Sequence, residues 1–240
     1  YEEFNKALKD LAKEELFKNI SEDERIRLCD MRNYEKALQC FNRSLFLSKK
    51  NYGDKSIKNA VLYNNIGLIY HDQGQYDKAL EYYTIALNLR LKEYGENHVS
   101  VAETYMNIAQ VLKQQGEYQK ALETNQKALS IITKNEQRHD IAIVYNNMAL
   151  IYTNLKDYSN AETYYQKGLS VIKSIYGEQH PNVATLYNNY AYFKYTLGKM
   201  DEALAYFDKA LKIRLQYFGE NHPSVQEVKS NMENVKNTKN

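Results

Sequence analysis

Four histidines are the residues whose type and spacing first invite a chemical interpretation, as metal ligands or as general acids and bases: His98, His139, His180 and His222. They recur at intervals of about 40 residues. Ligands of one metal ion, or partners in one catalytic site, must converge on a single point. Residues that return once per structural unit are spread along the molecule instead. We therefore predict that each histidine packs against or hydrogen-bonds to the start of a neighbouring helix, and we expect no metal site.

The other reactive side chains form no catalytic motif. Cys29 and Cys40 are too few for a disulfide framework, and their spacing matches no zinc pattern. The sequence contains neither G-x-S-x-G nor H-E-x-x-H, and no glycine cluster follows a predicted strand. We predict reduced thiols, no catalytic residues, no cofactor and no enzymatic activity.

The charge balance narrows the class of partner. Lysine plus arginine number 32 and aspartate plus glutamate 30, which gives a net charge of +2. Non-specific nucleic-acid binding needs a dense basic surface, so we expect no nucleic-acid partner. No run of sequence approaches the ~20 apolar residues of a membrane span. Since 43% of the residues are hydrophobic, we predict a packed cytoplasmic protein that does not insert into membranes.

One short sequence recurs five times and defines the elements that position these residues. Its copies read RNYEKAL (32–38), GQYDKAL (74–80), GEYQKAL (116–122), KDYSNAE (156–162) and GKMDEAL (198–204). Successive copies are 42, 42, 40 and 42 residues apart. A fixed period of this length is typical of a solenoid, in which each unit buries its apolar face against its neighbours.

Each unit reads as two helices joined by a tight turn. Tyr63, Ile66, Gly67 and Tyr70 share one face of a first helix, helix A, and Gly74 follows as its C-terminal cap. A second helix, helix B, begins at Tyr76. We predict that small residues of helix A (Gly67, Ala109, Ala149, Ala191) meet small residues of helix B (Ala37, Ala79, Ala121, Ala161, Ala203), and that large rings fill the space between units (Phe41, Tyr83, Tyr165, Phe207).

The loop between units also recurs, as EYGENHVSV (93–101), IYGEQHPNV (175–183) and YFGENHPSV (217–225). Its glycine is predicted to end helix B. A short polar residue follows at each junction and is predicted to be the N-cap of the next helix A. These predicted caps are Ser100, Asp140, Asn182 and Ser224, with Ser56 as a candidate for the second unit.

The spacing of small and aromatic residues resembles the tetratricopeptide repeat (TPR). The 42-residue period, the YGExHPxVA loop and the LYNN start of helix A resemble the kinesin light chain class of TPR. The resemblance implies an all-α fold, a right-handed α-solenoid of stacked helix-turn-helix units. We predict an N-terminal flank that ends a preceding helix B (1–20), five repeats (21–56 with a degenerate helix A, 57–98, 99–138 with a short loop, 139–180 and 181–222) and a capping helix (223–240).

The predicted ligand site follows from this architecture. Stacked helical pairs curve, and the A helices line the concave face. The outer stripe of helix A varies among the copies while the packing stripe does not, as expected for a surface free to recognise a partner. We predict that a peptide segment or partner helix binds in this concave groove. The candidate residues are Asn64, Asn65, Leu68, Asn107, Gln110, Lys113, Asn146, Asn147, Leu150, Asn188, Asn189, Tyr192 and Tyr195.

One asparagine of helix A is present at the same position in all four central copies. These four residues are Asn65, Asn107, Asn147 and Asn189. An amide both donates and accepts, so it can hold an extended peptide backbone. In the resembled family, asparagines of this kind contact cargo peptides. They also border the packing face, where an amide must find a partner and would hold neighbouring repeats in register. Both interpretations stay open from the sequence.

The charged residues on the stripe indicate which kind of peptide could bind there. Some TPR modules bind a chain-terminal carboxylate through a clamp of lysine, arginine and asparagine. The stripe here offers Lys113, whereas Lys194 falls at a packing position, so we do not expect a two-carboxylate clamp. A peptide of modest charge with hydrophobic anchors fits better.

Three functions remain on sequence grounds. The first is a peptide-binding scaffold for protein partners. The second is an architectural segment of a large multi-subunit assembly, ciliary or cytoskeletal, and the third is a regulatory arm of an enzyme whose catalytic domain lies outside these residues.

Overall fold

The computed structural model describes residues 34–136 and 138–239, and its regular structure is entirely α-helical. The helices in those ranges are α1 (Tyr34–Tyr52), α2 (Lys58–Asp72), α3 (Tyr76–Tyr94), α4 (Val99–Gln114), α5 (Tyr118–Lys134), α6 (Arg138–Asn154), α7 (Tyr158–Tyr176), α8 (Pro181–Thr196), α9 (Met200–Phe218) and α10 (Pro223–Lys239). Even numbers are A helices and odd numbers are B helices. The fold confirms the predicted all-α solenoid class. The predicted flank 1–20 and the first helix A after Ser21 lie outside the described residues.

The residue that marks each repeat is the first residue of a B helix: Tyr34, Tyr76, Tyr118, Tyr158 and Met200. The turn before it requires a left-handed backbone, which glycine adopts without strain. Gly74, Gly116 and Gly198 have φ of 73°, 78° and 73° there. In the fourth repeat Lys156 takes this position with φ of 59°, so that turn holds a strained residue.

The chain divides into two compact units, unit one ending at Glu117 and unit two comprising Tyr118–Asn240. The division falls between α4 and α5, inside the predicted repeat 99–138. Unit one buries a core that includes Phe41 and Ile66, and unit two buries a core rich in large rings, among them Tyr165 and Phe207. The A-helix surface is therefore described separately for α2 and α4 in unit one and for α6, α8 and α10 in unit two.

The close approach of helix A to helix B is clearest at Gly67. A β-carbon at this position would lie 2.9 Å from Cδ1 and from Cε1 of Tyr83, and 3.3 Å from the backbone oxygen of Ala79. Tyr83 is buried, and a ring in a close-packed core has no room to move aside. The predicted approach of Gly67 to Ala79 is confirmed, but the atoms nearest to Gly67 belong to Tyr83, a ring predicted to fill the space between units.

Histidine caps three of the A helices, which corrects the predicted N-caps. Nδ1 of His98 accepts a hydrogen bond from the backbone N–H of Ser100 at 3.2 Å. His180 and His222 accept in the same way from Asn182 and Ser224, each at 3.2 Å. The polar residues predicted as caps lie one step inside the first turn, and Asp140 likewise lies in the first turn of α6. The prediction failed because an unprotonated imidazole nitrogen reaches an orphan N–H as a hydroxyl does.

Each capping histidine also stacks on the aromatic residue that ends the preceding B helix. The ring centroids of Tyr94 and His98 are 4.2 Å apart, those of Tyr176 and His180 are 4.3 Å apart, and those of Phe218 and His222 are 4.6 Å apart. The predicted role of these histidines at helix starts is confirmed.

The two remaining inter-repeat sites differ from this pattern. His139 is already inside α6, where its Nδ1 lies 3.1 Å from the hydroxyl of Tyr176. Ser56 stands one period before His98, and its hydroxyl accepts from the N–H of Lys58 at 3.3 Å. The N-cap of α2 is nevertheless Ile57, which makes no side-chain capping bond, so the candidate cap Ser56 lies one residue before the N-cap.

Two buried arginines fasten the end of a B helix to the start of the next A helix. Nη1 of Arg90 donates to the backbone oxygen of Ser100 at 2.6 Å and to the hydroxyl of Thr104 at 2.8 Å. Arg214 donates to the backbone oxygen of Ser224 at 2.8 Å and pairs with Glu227 at 3.2 Å. The planar guanidinium satisfies several acceptors at once, and it thereby orients each inter-repeat loop.

None of the described helices combines the length and the apolar character that a bilayer span requires. Within the described ranges, no three side chains of histidine, cysteine, aspartate or glutamate come together as a metal site would demand.

Candidate functional site on the A-helix faces

In unit one the predicted stripe lies on α2 and α4 and is mostly half-buried. Val61 is exposed at the start of α2, and Asn64 and Leu68 are half-buried further along it. Met106 and Gln110 are half-buried on α4. The stripe therefore presents a mixed surface of aliphatic and amide groups.

Two polar side chains of α4 on this stripe, Lys113 and Gln110, have charge or hydrogen-bonding groups without a partner among the described residues. Burial lowers the pKa of Lys113, and no carboxylate of the described residues lies within ion-pair distance of it. Oε1 of Gln110, one turn earlier, is buried without a hydrogen-bond partner in the described part of the chain. A half-buried cation and a buried acceptor without partners both carry a desolvation cost.

In unit two the stripe carries the most exposed aromatic residue of any A helix described. Tyr192 of α8 is 53% exposed, and its ring centroid lies 6.2 Å from that of Tyr195. The hydroxyl of Tyr195 lies 3.1 Å from Oγ1 of Thr238 on α10. Leu150 of α6 packs with one side against the core of unit two. Leu150 and Tyr192 occupy equivalent repeat positions on α6 and α8. We call Leu150, Tyr192 and Tyr195 the apolar strip of this face.

The asparagines form inter-repeat pairs, which we call the asparagine ladder. Nδ2 of Asn107 donates to Oδ1 of Asn64 at 3.1 Å in unit one, and Nδ2 of Asn189 donates to Oδ1 of Asn146 at 3.1 Å in unit two. Each bond joins an A helix to the preceding A helix. The register-holding interpretation of Asn107 and Asn189 is therefore realised in the structure.

A third ladder pair involves a residue that the sequence prediction missed. Nδ2 of Asn231 on α10 lies 3.5 Å from Oδ1 of Asn188. Asn231 follows Asn189 by one 42-residue period, so the periodicity alone could have identified it. The capping helix thus continues the ladder with the same residue type.

Two asparagines of the ladder are less exposed than the sequence predicted. Asn146 and Asn188, placed on the exposed stripe by the sequence, are each only 8% exposed. Asn64 is bonded to the next A helix in the same way and stays half-buried, so the ladder bond does not by itself bury an amide. Each ladder bond uses one N–H of one amide and one lone pair of the other, so both amides retain further hydrogen-bonding capacity.

The other two repeated asparagines occupy different surroundings. Asn65 of α2 is buried, and its Nδ2 has no hydrogen-bond partner among the residues described. Asn147 of α6 is half-buried. Five candidate asparagines therefore take part in the ladder. Asn64 pairs with Asn107, Asn146 pairs with Asn189, and Asn188 pairs with Asn231 of the capping helix.

Lys194 lies on the packing side of α8, as its sequence position predicts, and is 5% exposed. Its Nζ lies 2.9 Å from Oε2 of Glu162 on α7 and 3.0 Å from Oε2 of Glu202 on α9. The hydroxyl of Tyr190 also donates to Glu162. Burial alone would lower the pKa of Lys194, but the hydrogen bonds to the two carboxylates outweigh it and raise that pKa. Lys194 therefore joins repeats and is not offered to a ligand.

The family of the chain follows from comparison with known sequences. The tetratricopeptide repeat model matches residues 28–90, 58–134, 140–192 and 182–232, which together span most of the sequence. The chain belongs to the tetratricopeptide repeat family. No curated protein matches it significantly in sequence.

Solved structures of similar fold include kinesin light chain-like proteins. BtubC (BKLC) from P. vanneervenii superposes with a TM-score of 0.68 at 24% identity, covering 85% of this chain and 82% of that one. A putative kinesin light chain of Podosopora anserina with nearly identical TPR-like repeats gives a TM-score of 0.64 at 14% identity, covering 81% and 93%. A point variant of that protein gives 0.65 at 14% identity, covering 79% and 91%. At these identities the likeness shows a shared fold.

Proposed function

We propose that this chain is a non-enzymatic scaffold whose A-helix faces bind a peptide segment or helix of a partner protein. Tetratricopeptide repeats generally mediate protein–protein interaction, and membership of the family supports the class. The finer proposal rests on one observation, the exposed Tyr192 beside Tyr195 and Leu150 on the A-helix face of unit two. Tyrosine supplies a large contact area at low entropic cost and is enriched at interfaces.

The asparagine ladder supports this site in a second way. Amides that bond one another across repeats are held in a fixed orientation, so a ligand does not have to order them. Asn146, Asn189 and Asn188 lie beside the apolar strip, and their remaining donors and acceptors match a peptide backbone. The candidate asparagines therefore combine a register role with a proposed contact to ligand.

The peptide expected on unit two is apolar at its anchors and modest in charge. Leu150, Tyr192 and Tyr195 supply no charge, and Lys194 is already paired with Glu162 and Glu202. On unit one, Lys113 adds one cationic contact, which favours a peptide with a single acidic group there.

The test uses a phage-displayed library of random linear peptides selected on the full chain, followed by fluorescence polarisation with the enriched sequences. Tyr192→Ala should weaken binding by about tenfold, because loss of an aromatic anchor costs that much at a small interface. Tyr217→Ala is the matched control, since Tyr217 is also 53% exposed in unit two but lies on B helix α9. Equal loss in both variants, or loss in Tyr217→Ala alone, would refute the site. A library that yields no enriched peptide would favour an architectural role.

A further inference from the structure

A second surface, separate from the A-helix stripe, is an open groove inside unit two between α5 and α6. Leu122 from α5 lies in its floor with Met148 and Tyr152 from α6. Its rim is formed by Gln119, Glu123, Gln126 and Asp157, and polar atoms make up the larger part of the accessible lining. Leu155, just after α6, completes one wall and is 42% exposed. The groove is open to solvent along its length and has a volume of about 420 Å³, so it suits a side chain presented by a partner segment.

The equivalent position one repeat later is closed by polar side chains. Glu162, Tyr190 and Lys194 stand there at the repeat positions of Leu122, Met148 and Tyr152. Their hydrogen bonds and ion pair connect α7 to α8 across the space. The groove in unit two is therefore not a general property of the repeat.

The equivalent position in unit one is bridged as well. Gln115 stands at the repeat position of Leu155, and its Nε2 donates to Oδ1 of Asp77 at 2.9 Å. At the α5–α6 groove, by contrast, polar side chains of the rim form hydrogen bonds with residues close to them in sequence and do not bridge the two helices. Gln119 donates to Glu123 at 3.4 Å within α5, and Asp157 accepts from the N–H of Asn160 at the start of α7. The exposed Leu155 thus stands at the edge of the groove where Gln115 forms a bridging hydrogen bond in unit one.

The charge of the rim indicates what the groove accepts. Glu123 and Asp157 line it, and no lysine or arginine does. Opposite charge at the rim of an apolar site directs partner choice and excludes like-charged segments. We propose that this groove docks a partner-protein segment that inserts a leucine-sized or aromatic side chain and carries a lysine or arginine within one helical turn of it. The proposal does not depend on peptide binding at the A-helix stripe.

Methionine methyl groups provide a site-resolved test. Met148 lies in the floor of the groove, whereas Met106 lies on the A-helix stripe of α4. Protein labelled with ¹³C at the methionine methyl groups is titrated with a helical peptide that presents leucines flanked by lysines, and with a second peptide in which glutamate replaces each lysine. Met148→Leu assigns the Met148 signal. The lysine peptide should shift the Met148 methyl resonance saturably, and the glutamate peptide should not.

Two variants separate charge from apolar contact. Glu123→Lys should weaken the response of Met148 to the lysine peptide by about tenfold, and Leu155→Gln, which copies the residue at Gln115, should weaken it as well. The matched control Thr163→Lys changes the equivalent exposed position of α7 and should leave the response unchanged. Equal shifts with both peptides, a shift confined to Met106, or no shift of Met148 would overturn the proposal.

Discussion

The side-chain amide of Asn189 donates a hydrogen bond to Oδ1 of Asn146, 3.1 Å away and one repeat earlier in the chain. The bond ties the middle of α8 to the middle of α6 on the face proposed to bind peptide. The same pairing joins Asn107 to Asn64 in unit one. The ladder therefore makes the register between repeats and the shape of the A-helix face depend on the same residues.

The Asn146–Asn189 pair should show energetic coupling. A double-mutant cycle of Asn146→Ala and Asn189→Ala, measured by urea unfolding, should give a coupling of about 1 kcal/mol, the net value of one hydrogen bond. Far-ultraviolet circular dichroism should show unchanged helicity at zero urea. Additive single-mutant effects would mean that the two amides do not stabilise one another in solution.

The ion pair between the buried Lys194 and the half-buried Glu162 predicts how variants of these residues change the free energy of unfolding. Glu162→Leu alone should lower the free energy of unfolding by about 1 to 2 kcal/mol, because it removes one of the two carboxylates that pair with Lys194 and leaves Glu202 in place. Combining it with Lys194→Met should recover much of this loss, since apolar residues of similar volume often replace a buried pair without cost. A double variant less stable than Glu162→Leu would contradict this account.

The same pair predicts how stability depends on pH. Burial would raise the pKa of Glu162, but hydrogen bonds from Tyr190 and Lys194 outweigh it and hold that pKa below its ordinary 4.5. The carboxylate therefore contributes stability above pH 4.5, which is lost as the pH falls through the lowered value. The raised pKa of Lys194 keeps its contribution intact below 10.5 and removes it only at still higher pH.

Glu162→Gln isolates this dependence, since it retains the shape of the side chain. The difference in unfolding free energy between wild type and variant should be constant near neutral pH and should shrink as the pH falls below 4.5. Chemical unfolding over that pH range measures it. A difference that grows on acidification would show the wrong sign and exclude the ion pair as its cause.

The histidine cap of α8 should tolerate other acceptors. His180→Ala should cost about 1 kcal/mol, the usual effect of removing an N-cap acceptor. His180→Ser restores an acceptor but not the stacking on Tyr176, so it should lie between wild type and alanine. Thermal unfolding followed by circular dichroism ranks the three proteins. An alanine variant as stable as wild type would show that the cap contributes nothing.

Asn125 is the predicted target for a stabilising change. It occupies the α5 position that holds Phe41, Tyr83, Tyr165 or Phe207 in other repeats, and it is 1% exposed. Neither its Nδ2 nor its Oδ1 has a hydrogen-bond partner within the described ranges. Asn125→Leu should raise the free energy of unfolding by about 1 to 3 kcal/mol by removing an unsatisfied buried amide.

Asn234→Leu is the control for that prediction, because Asn234 is exposed on α10 in the same unit. It should change the stability by no more than about 0.5 kcal/mol. A destabilised Asn125→Leu variant would mean that the amide of Asn125 is satisfied in solution, for example by water.

The sequence by itself determined the repeat and its helices. The 42-residue period placed Tyr76 and its equivalents at helix starts, and Gly67 at the contact of helix A with helix B. These positions are visible in one dimension because local backbone preference and the size of a packing residue recur in every copy. The histidines were correctly assigned to helix starts for the same reason, although the capping atom was misplaced onto the neighbouring polar residue.

Tertiary structure decided how side chains of different repeats pair. Whether Asn189 faces Asn146 or solvent, and whether Lys194 meets Glu162, depends on the relative rotation of helices far apart in sequence. The open groove beside Leu155 likewise exists because substitutions on two helices coincide in space. The sequence period identifies residues that all copies share. These contacts are made by residues that differ from copy to copy, so they become visible only in the packed structure.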